Sequence, residues 1–99
     1  MNNLTAKIEN WAIDRNLHTA DPNKQMLKLM EEVGELAEGM AKGDEAEIVD
    51  AIGDIHVVLT ILSMQMNFSI ERCIEGAYDE IKDRKGKMID GIFVKESDL

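Results

Sequence analysis

The sequence predicts an all-α protein: a four-helix bundle-like fold in one domain over residues 1–99, oligomeric, with a short C-terminal extension. Only four of the 99 residues are aromatic whereas seven are Met, which is typical of a helical core filled by flexible aliphatic side chains. Apolar residues recur at helical spacing in four segments, which are separated by capping residues. A chain of this length forms a core of modest stability, so we expect it to associate with further copies of itself.

The first two helices are separated by the segment HTADPN. The stretch LTAKIENWAIDRNL, residues 4–17, carries apolar residues at mostly helical intervals and predicts a short amphipathic helix. A second helix is predicted from about Pro22 to Lys42, because Pro is favoured in the first turn of a helix and Asp21 can cap it. Gly43 is expected to end this helix.

The third helix is predicted to begin directly after this glycine. Asp44 followed by Glu47 has the spacing of a capping box, and the apolar pattern continues to about Met66. A connection this short makes the second and third helices antiparallel neighbours.

A fourth helix is predicted over about Ser69–Lys85. Asn67 suits a left-handed helix terminator, and Ser69 suits the next N-cap. The tail after Gly86, KMIDGIFVKESDL, has apolar residues but no helical period. We therefore expect an ordered or partner-docked extension rather than a fifth helix.

Charge and composition exclude several classes of function. The formal net charge of -9 disfavours nucleic acid as a partner, because phosphate binding is led by clustered Lys and Arg. The single Cys73 cannot form an internal disulfide, the N-terminal residues do not resemble a signal peptide, and no window approaches a membrane span. We expect a cytoplasmic protein that is not bound to a membrane.

The predicted second helix separates acidic from apolar residues. Its apolar side comprises Met26, Met30, Val33, Ala37 and Met40, and the nearly opposite side comprises Glu31, Glu32, Glu35 and Glu38. Such an acidic side is either a solvated surface or a binding site, and this helix alone does not decide between them.

The third helix places acids beside apolar surface. Glu47, Asp50 and Asp54 form a stripe at i, i+3 and i+7 that continues as apolar residues, and from Ile55 to Met66 the helix is apolar on nearly all sides. Asp54 therefore borders a buried environment, where an isolated carboxylate is costly or takes up a proton.

A divalent cation is the economical way to satisfy these acids. Two antiparallel helices with carboxylates one turn apart can converge four or more oxygen atoms, and hard oxygen ligands favour Mg²⁺, with Mn²⁺ as the alternative. Gly34 and Gly53 either leave room beside the acids or allow close packing of the helices.

Other metals and a cysteine nucleophile fit the sequence poorly. A di-iron carboxylate site needs Glu-x-x-His on two helices, but His56 follows Asp54 by two residues and has Gly53 three positions before it. One Cys and two His cannot assemble a zinc site of soft ligands. Cys73 has no nearby His in the sequence, so we expect it to pack rather than react.

The acidic segments together resemble the MazG-like nucleoside triphosphate pyrophosphohydrolases, an all-α superfamily. The segment QMLKLMEEVGELAEGM carries the EExxE motif of that family as Glu31, Glu32 and Glu35. DAIGDIHVVL looks like its second acidic motif, and DRKGKMIDGIFVKE resembles the ending of small, often phage-encoded members. The resemblance covers nearly the whole chain.

One position departs from the family pattern. The second motif is usually ExxD, and aligning its Asp with Asp54 places Ala51 where the family has Glu. Glu47 and Asp50 also spell ExxD one turn earlier, but the apolar run directly follows Asp54. The resemblance then implies the metal ligands Glu32, Glu35, Asp50 and Asp54, with Glu47 as an auxiliary acid.

The resemblance implies metal-dependent hydrolysis of a (deoxy)nucleoside triphosphate to the nucleoside monophosphate and pyrophosphate. Glu31 or Glu35 would orient the attacking water, and a homotetramer, or else a dimer, would build each site from more than one chain. The remaining implied residues are Lys28, Lys82, Arg84 and Lys85 for the phosphates, and Trp11 and Tyr78 for the base. At the end of the fourth helix, the basic cluster also complements the helix dipole.

Two alternatives stay open at the level of sequence. The first is a non-catalytic helical oligomerisation or regulatory module whose acids only solvate the surface. The second is a degenerate family member that binds nucleotide without turnover, for which Ala51 is the motivating residue.

Overall fold

The computed structural model describes residues 3–99, which form four α-helices followed by an antiparallel β-hairpin. The elements are α1 (Asn3–Asp14), α2 (Pro22–Lys42), α3 (Glu45–Gln65), α4 (Ile70–Ile81), β1 (Gly86–Ile89) and β2 (Ile92–Lys95). Short 3-10 turns occupy Leu17–Thr19 and Glu96–Asp98. The predicted all-α class is confirmed. Within the described range, no helix is both long enough and apolar enough to cross a membrane.

The antiparallel pair of α2 and α3 is fixed by three capping residues. The Asp21 carboxylate accepts a hydrogen bond from the Asn23 N–H at 2.9 Å, at the start of α2. Gly43 ends α2 in the left-handed conformation, with φ of 67°. The Asp44 carboxylate then accepts from the Glu47 N–H at 3.1 Å. As predicted, α3 begins immediately after α2 ends.

The connection between α3 and α4 also has the capping residues that the sequence predicts. Asn67 is left-handed with φ of 66°, and the Ser69 hydroxyl accepts from the Arg72 N–H at 3.2 Å. However, α4 ends at Ile81 rather than at Lys85. The Lys85 carbonyl accepts a hydrogen bond from Glu96 N–H at 2.7 Å, so the hairpin draws the chain out of the helix before Lys85.

The C-terminal extension is a tight β-hairpin. Its two strands pair in the register Gly86 with Lys95 and Ile89 with Ile92. The connecting residues, Asp90 and Gly91, both have positive φ, the conformation of a type I′ turn. The extension is not helical, as expected, but its strand pairing was not anticipated.

One chain buries few of its apolar residues. The buried apolar residues are Ala12, Ala51, Val58, Ile61 and Ile70. The accessible surface is 7348 Å², compared with about 5,700 Å² for a compact monomer of this mass. The radius of gyration is 16.3 Å, compared with about 13 Å for a compact domain of 100 residues. The chain is therefore extended and leaves apolar surface open.

Gly39 is a buried residue at which α2 closely approaches the first turn of α3. A Cβ atom at this position would lie 3.2 Å from side-chain atoms of Glu47 and Ile48 and from the Ile48 backbone nitrogen. This contact sets how the two helices are rotated against each other.

Replacing Gly39 by Leu should lower the free energy of unfolding by about 2 kcal/mol, because the added side chain overpacks the contact between α2 and α3. Urea denaturation at a fixed protein concentration measures the change. Gly76→Leu is the matched control, since a Cβ there meets nothing within 4 Å, and replacing this exposed glycine should stabilise the helix by about 0.8 kcal/mol. Effects of the same sign at both glycines would contradict the close approach.

Candidate metal centre

Three carboxylates meet between α2 and α3. Glu32, Glu35 and Asp54 each offer one oxygen atom, and these atoms lie within 4.8 Å of one another. We call these three residues the acid cluster. Glu32 is buried, Asp54 is partly buried and Glu35 is exposed, so the cluster opens to solvent on one side.

Glu32 is the most deeply buried member of the acid cluster. Its side chain is only 6% exposed. One carboxylate oxygen, Oε2, is buried and has no hydrogen-bond partner. The other, Oε1, lies 3.5 Å from Nζ of Lys28. A buried carboxylate with an unsatisfied oxygen is costly, so this atom marks a position where a further positive group would be stabilising.

The environment of Asp54 also favours a positive group at the acid cluster. Burial raises the pKa of the Asp54 carboxyl above its ordinary value, and the negative charges of Asp50 and Glu32 raise it further. Asp50 lies one helical turn before Asp54 and is exposed. It therefore contributes charge at the edge of the acid cluster rather than inside it.

The donor set of the acid cluster fits a hard divalent cation. All three groups are carboxylates on two helices, and the orphaned Oε2 atom of Glu32 can be satisfied by a metal ion without a further protein donor. Oxygen ligands of this kind suit Mg²⁺ or Mn²⁺ and not softer metals.

The other acids of the two motifs lie outside the acid cluster. Glu31 is exposed and lies 3.6 Å from the Lys28 ammonium, so Lys28 bridges Glu31 and Glu32. Glu47 instead faces Glu38 near the turn between α2 and α3. Burial and the Glu38 charge raise the Glu47 pKa.

The burial of α2 differs from what its hydrophobic periodicity predicts. Met30 and Val33 on the apolar side are exposed, whereas Glu32 on the acidic side is buried against α3. A Cβ atom at Gly34 or Gly53 would meet nothing within 4 Å. Neither glycine is therefore needed for helix packing within one chain.

A cavity of about 470 Å³ is lined by residues of α1, α2 and α3, but by none of the three acid-cluster residues. Lys28 lies on its wall, and the same ammonium contacts Glu32. The rest of the wall is largely apolar and includes Trp11, Val57 and Ile61. The Arg15 guanidinium covers the Trp11 ring at 4.2 Å from its centroid.

Two amide side chains of this cavity were missed by the sequence reasoning. Gln25 and Gln65 both line it, and the Gln65 amide nitrogen donates a hydrogen bond to the Leu17 carbonyl at 3.0 Å. Gln65 ties the end of α3 to the turn after α1. Its only signal in the sequence is a lone amide within an apolar run.

Two of the three predicted phosphate-binding cations that follow α4 form local ion pairs. Lys82 lies 3.3 Å from Asp79, and Arg84 lies 3.9 Å from Glu80. Lys85 lines a shallow concavity together with Arg84 at the base of the hairpin. Tyr78, the second predicted base-binding residue, is exposed on α4. The described chain thus brings Lys28 to the acid cluster and both Lys28 and Trp11 to the cavity, but brings neither Tyr78 nor the cations after α4 to them.

Comparison with known proteins gives a family match. Residues 20–89, more than two thirds of the chain, match the MazG nucleotide pyrophosphohydrolase domain. Over 63 residues the chain is 52% identical to an uncharacterized 18.2 kDa protein in the rep-hol intergenic region of Haemophilus phage HP1. The aligned part is 63% of this chain and 39% of that relative, so the chain spans well under half of the relative's length. No solved structure gives a significant match.

The raised pKa of Asp54 predicts how the stability of the metal-free protein depends on pH. Because the folded state holds this proton more tightly than the unfolded state, its contribution to stability falls as pH rises above the ordinary Asp pKa of 3.8. In EDTA, Asp54→Asn should therefore gain stability relative to wild type as the pH rises from about 4 to about 7. This is the range in which a carboxyl group with a raised pKa loses its proton. Thermal denaturation across this range measures the difference.

The control for this experiment is Glu75→Gln, which removes an exposed acid on α4. It should follow the wild-type pH profile. An Asp54→Asn profile parallel to wild type at every pH would show that the acid cluster imposes no such penalty.

Proposed function

We propose, because the chain belongs to the MazG nucleotide pyrophosphohydrolase family, that it hydrolyses (deoxy)nucleoside triphosphates to the nucleoside monophosphate and pyrophosphate in a metal-dependent reaction. The observation that carries this proposal is the acid cluster, with its buried and unsatisfied Glu32 oxygen. A merely solvated acidic surface would leave Glu32 exposed, as Glu31 and Glu38 are.

The proposed cofactor is Mg²⁺, with Mn²⁺ as a substitute. Glu32, Glu35 and Asp54 would hold the cation, and Asp50 would join them from the preceding turn of α3. When bound, the cation neutralises charge on phosphate oxygens and makes a coordinated water a stronger acid. The carboxylates repel a triphosphate unless the cation is present. By holding the cation, they would therefore determine where the triphosphate binds.

Glu31 and Glu35 are the proposed catalytic carboxylates. Glu35 is exposed at the open side of the acid cluster, and Glu31 stands beside it with its charge partly balanced by Lys28. Either group can orient the attacking water towards the phosphorus atom and accept a proton from that water. Lys28 would then turn its ammonium to the phosphates. The auxiliary role of Glu47 stays a prediction, since Glu47 faces Glu38 and lies apart from this group.

The cavity lined by Lys28 and Trp11 is the proposed base pocket. Its size and largely apolar wall suit a nucleobase, and the Trp11 ring offers a surface for stacking. Tyr78 lies on the exposed side of α4 and could serve only a site on another copy.

The proposed assembly is a homo-oligomer, a tetramer in first place and a dimer in second. It is supported by the extended shape of the chain and by the apolar surface that one copy leaves open. In this assembly, Lys82, Arg84 and Lys85 would offset triphosphate charge at a site of a neighbouring copy. We also propose a cytoplasmic location, where nucleoside triphosphates are made and used.

A second candidate function is nucleotide binding without turnover. Ala51 is only 1% exposed and lies on the same side of α3 as Asp54. A Glu at this position, as in the family motif, would add a fourth carboxylate to the acid cluster. Because Ala51 stands in place of this Glu, the neighbouring Asp50, which is exposed, would have to substitute for the missing carboxylate.

Pyrophosphate release from each common NTP and dNTP, with Mg²⁺, Mn²⁺ or EDTA, tests the proposed activity. We expect release that requires metal and falls by at least about a hundredfold in Asp54→Asn, because losing a ligand forfeits several kcal/mol of charge stabilisation. Glu75→Gln, which removes one exposed acid on α4, should retain wild-type rates.

The contrary results separate the alternatives. If all nucleotides stay intact but bind in the presence of metal, the chain is a nucleotide binder. If they neither react nor bind, the proposed function is wrong.

A further inference from the structure

Gln65 stands at the far end of the apolar side of α3 that begins at Asp54. It follows Asp54 by 11 residues, which is about three turns, so the two residues lie on the same side of the helix. Between them on this side lie Val57, Val58 and Ile61, which line the cavity described above. The apolar side of α3 therefore has a carboxylate of the acid cluster at one end and an amide at the other.

The amide of Gln65 is fixed in orientation by the turn after α1. Its Nε2 atom donates a hydrogen bond to the Leu17 carbonyl at 3.0 Å. An amide oxygen in that place would face another oxygen atom, so the carbonyl determines which end of the amide it contacts. The remaining atom, Oε1, is buried and has no hydrogen-bond partner among the described residues. Because a buried acceptor without a donor is costly, a ligand that brings a donor to Oε1 is favoured.

The position of Gln65 along α3 fits the length of a nucleotide. The 11 residues from Asp54 rise by about 16 Å, which is comparable with an extended nucleoside triphosphate. Lys28 both contacts Glu32 and lines the cavity, so the cavity begins near the acid cluster. A triphosphate held by a cation at the acid cluster would therefore direct its base along the apolar side of α3 towards Gln65.

An acceptor at this end of the cavity distinguishes between the bases. Cytosine, adenine and guanine carry an exocyclic amino group, a donor that projects beyond the ring. Uracil and thymine instead carry keto oxygens on both sides of their ring N–H. A small projecting donor reaches a buried oxygen more easily than a donor within a ring, whereas a keto oxygen turned towards Oε1 would bring two acceptors together.

We propose that Gln65 determines which bases the cavity accepts, because its Oε1 atom accepts a hydrogen bond from an exocyclic amino group. The preferred substrates are then nucleotides of cytosine, adenine and guanine over those of uracil and thymine. This inference rests on the nucleotide substrate and the base pocket proposed above, but it does not depend on turnover.

The experiment measures binding apart from hydrolysis. In the α,β-imido analogues of dCTP and dUTP, an NH group replaces the oxygen between the α and β phosphorus atoms, so this bond is not hydrolysed. With Mg²⁺, equilibrium dialysis should give a dissociation constant at least about tenfold lower for the cytosine analogue than for the uracil analogue, because only cytosine satisfies the buried acceptor.

Two variants assign this preference to Gln65. Gln65→Met removes the amide but keeps an unbranched side chain, and the ratio of the two dissociation constants should fall to about one. This change also removes the bond to Leu17, but a purely structural role would weaken both analogues alike and leave the ratio unchanged. Asn10→Met, which replaces an exposed amide of α1 outside the cavity lining, should keep the wild-type ratio.

A second comparison needs no variant and holds even if Gln65→Met does not fold. The α,β-imido analogues of ATP and inosine triphosphate differ by the same exchange of an amino group for a keto oxygen. The adenine analogue should bind the wild-type protein more tightly.

Each contrary outcome has a definite meaning. Equal affinities within both pairs, or a preference for cytosine that survives in folded Gln65→Met, overturn the role of Gln65. If no analogue binds with Mg²⁺, the proposed nucleotide function is wrong as well. A preference that Gln65→Met abolishes, together with no pyrophosphate release from dCTP, supports the role of Gln65 and contradicts only the proposed activity.

Discussion

The negative charge enclosed between α2 and α3 is the constraint on which the rest of the structure depends. A carboxylate as deeply placed as Glu32 is tolerated only with compensation, and Lys28 supplies it to one oxygen while the other stays unsatisfied. The surrounding features hold this arrangement in place: Gly43 and Asp44 reverse the chain within two residues, and Gly39 lets the helices approach. The helix pair therefore gives up packing stability to bring carboxylates together, which is the usual cost of a preorganised site.

The same constraint explains why one copy looks incomplete. With Glu32 turned towards α3, the apolar side of α2 that carries Met30 and Val33 is left facing outwards. Burying the charged site and burying the apolar side are incompatible within a single chain, but they are compatible in an assembly. The proposed oligomer thus follows from the rotation of α2 about its own axis, and not only from the small size of the chain.

The sequence was sufficient to predict the helices and their order, because local residues control them. Asp21, Asp44 and Ser69 cap as expected, and helix class follows from periodicity. The hairpin was missed, although Asp90-Gly91 between apolar residues is a turn signal, since strands of four residues show too little alternation. The burial of Glu32 could not be predicted, because periodicity within α2 points the other side inwards and only contact with α3 decides otherwise.

The most direct test of the account is Mn²⁺ binding followed by electron paramagnetic resonance, without nucleotide. The account predicts that stoichiometric wild-type protein removes the signal of free Mn²⁺, whereas Glu32→Gln, which keeps the side-chain shape but not the charge, leaves most of it. Equal signals with the two proteins would contradict the central claim, because the buried carboxylate would then serve the fold and not a cation.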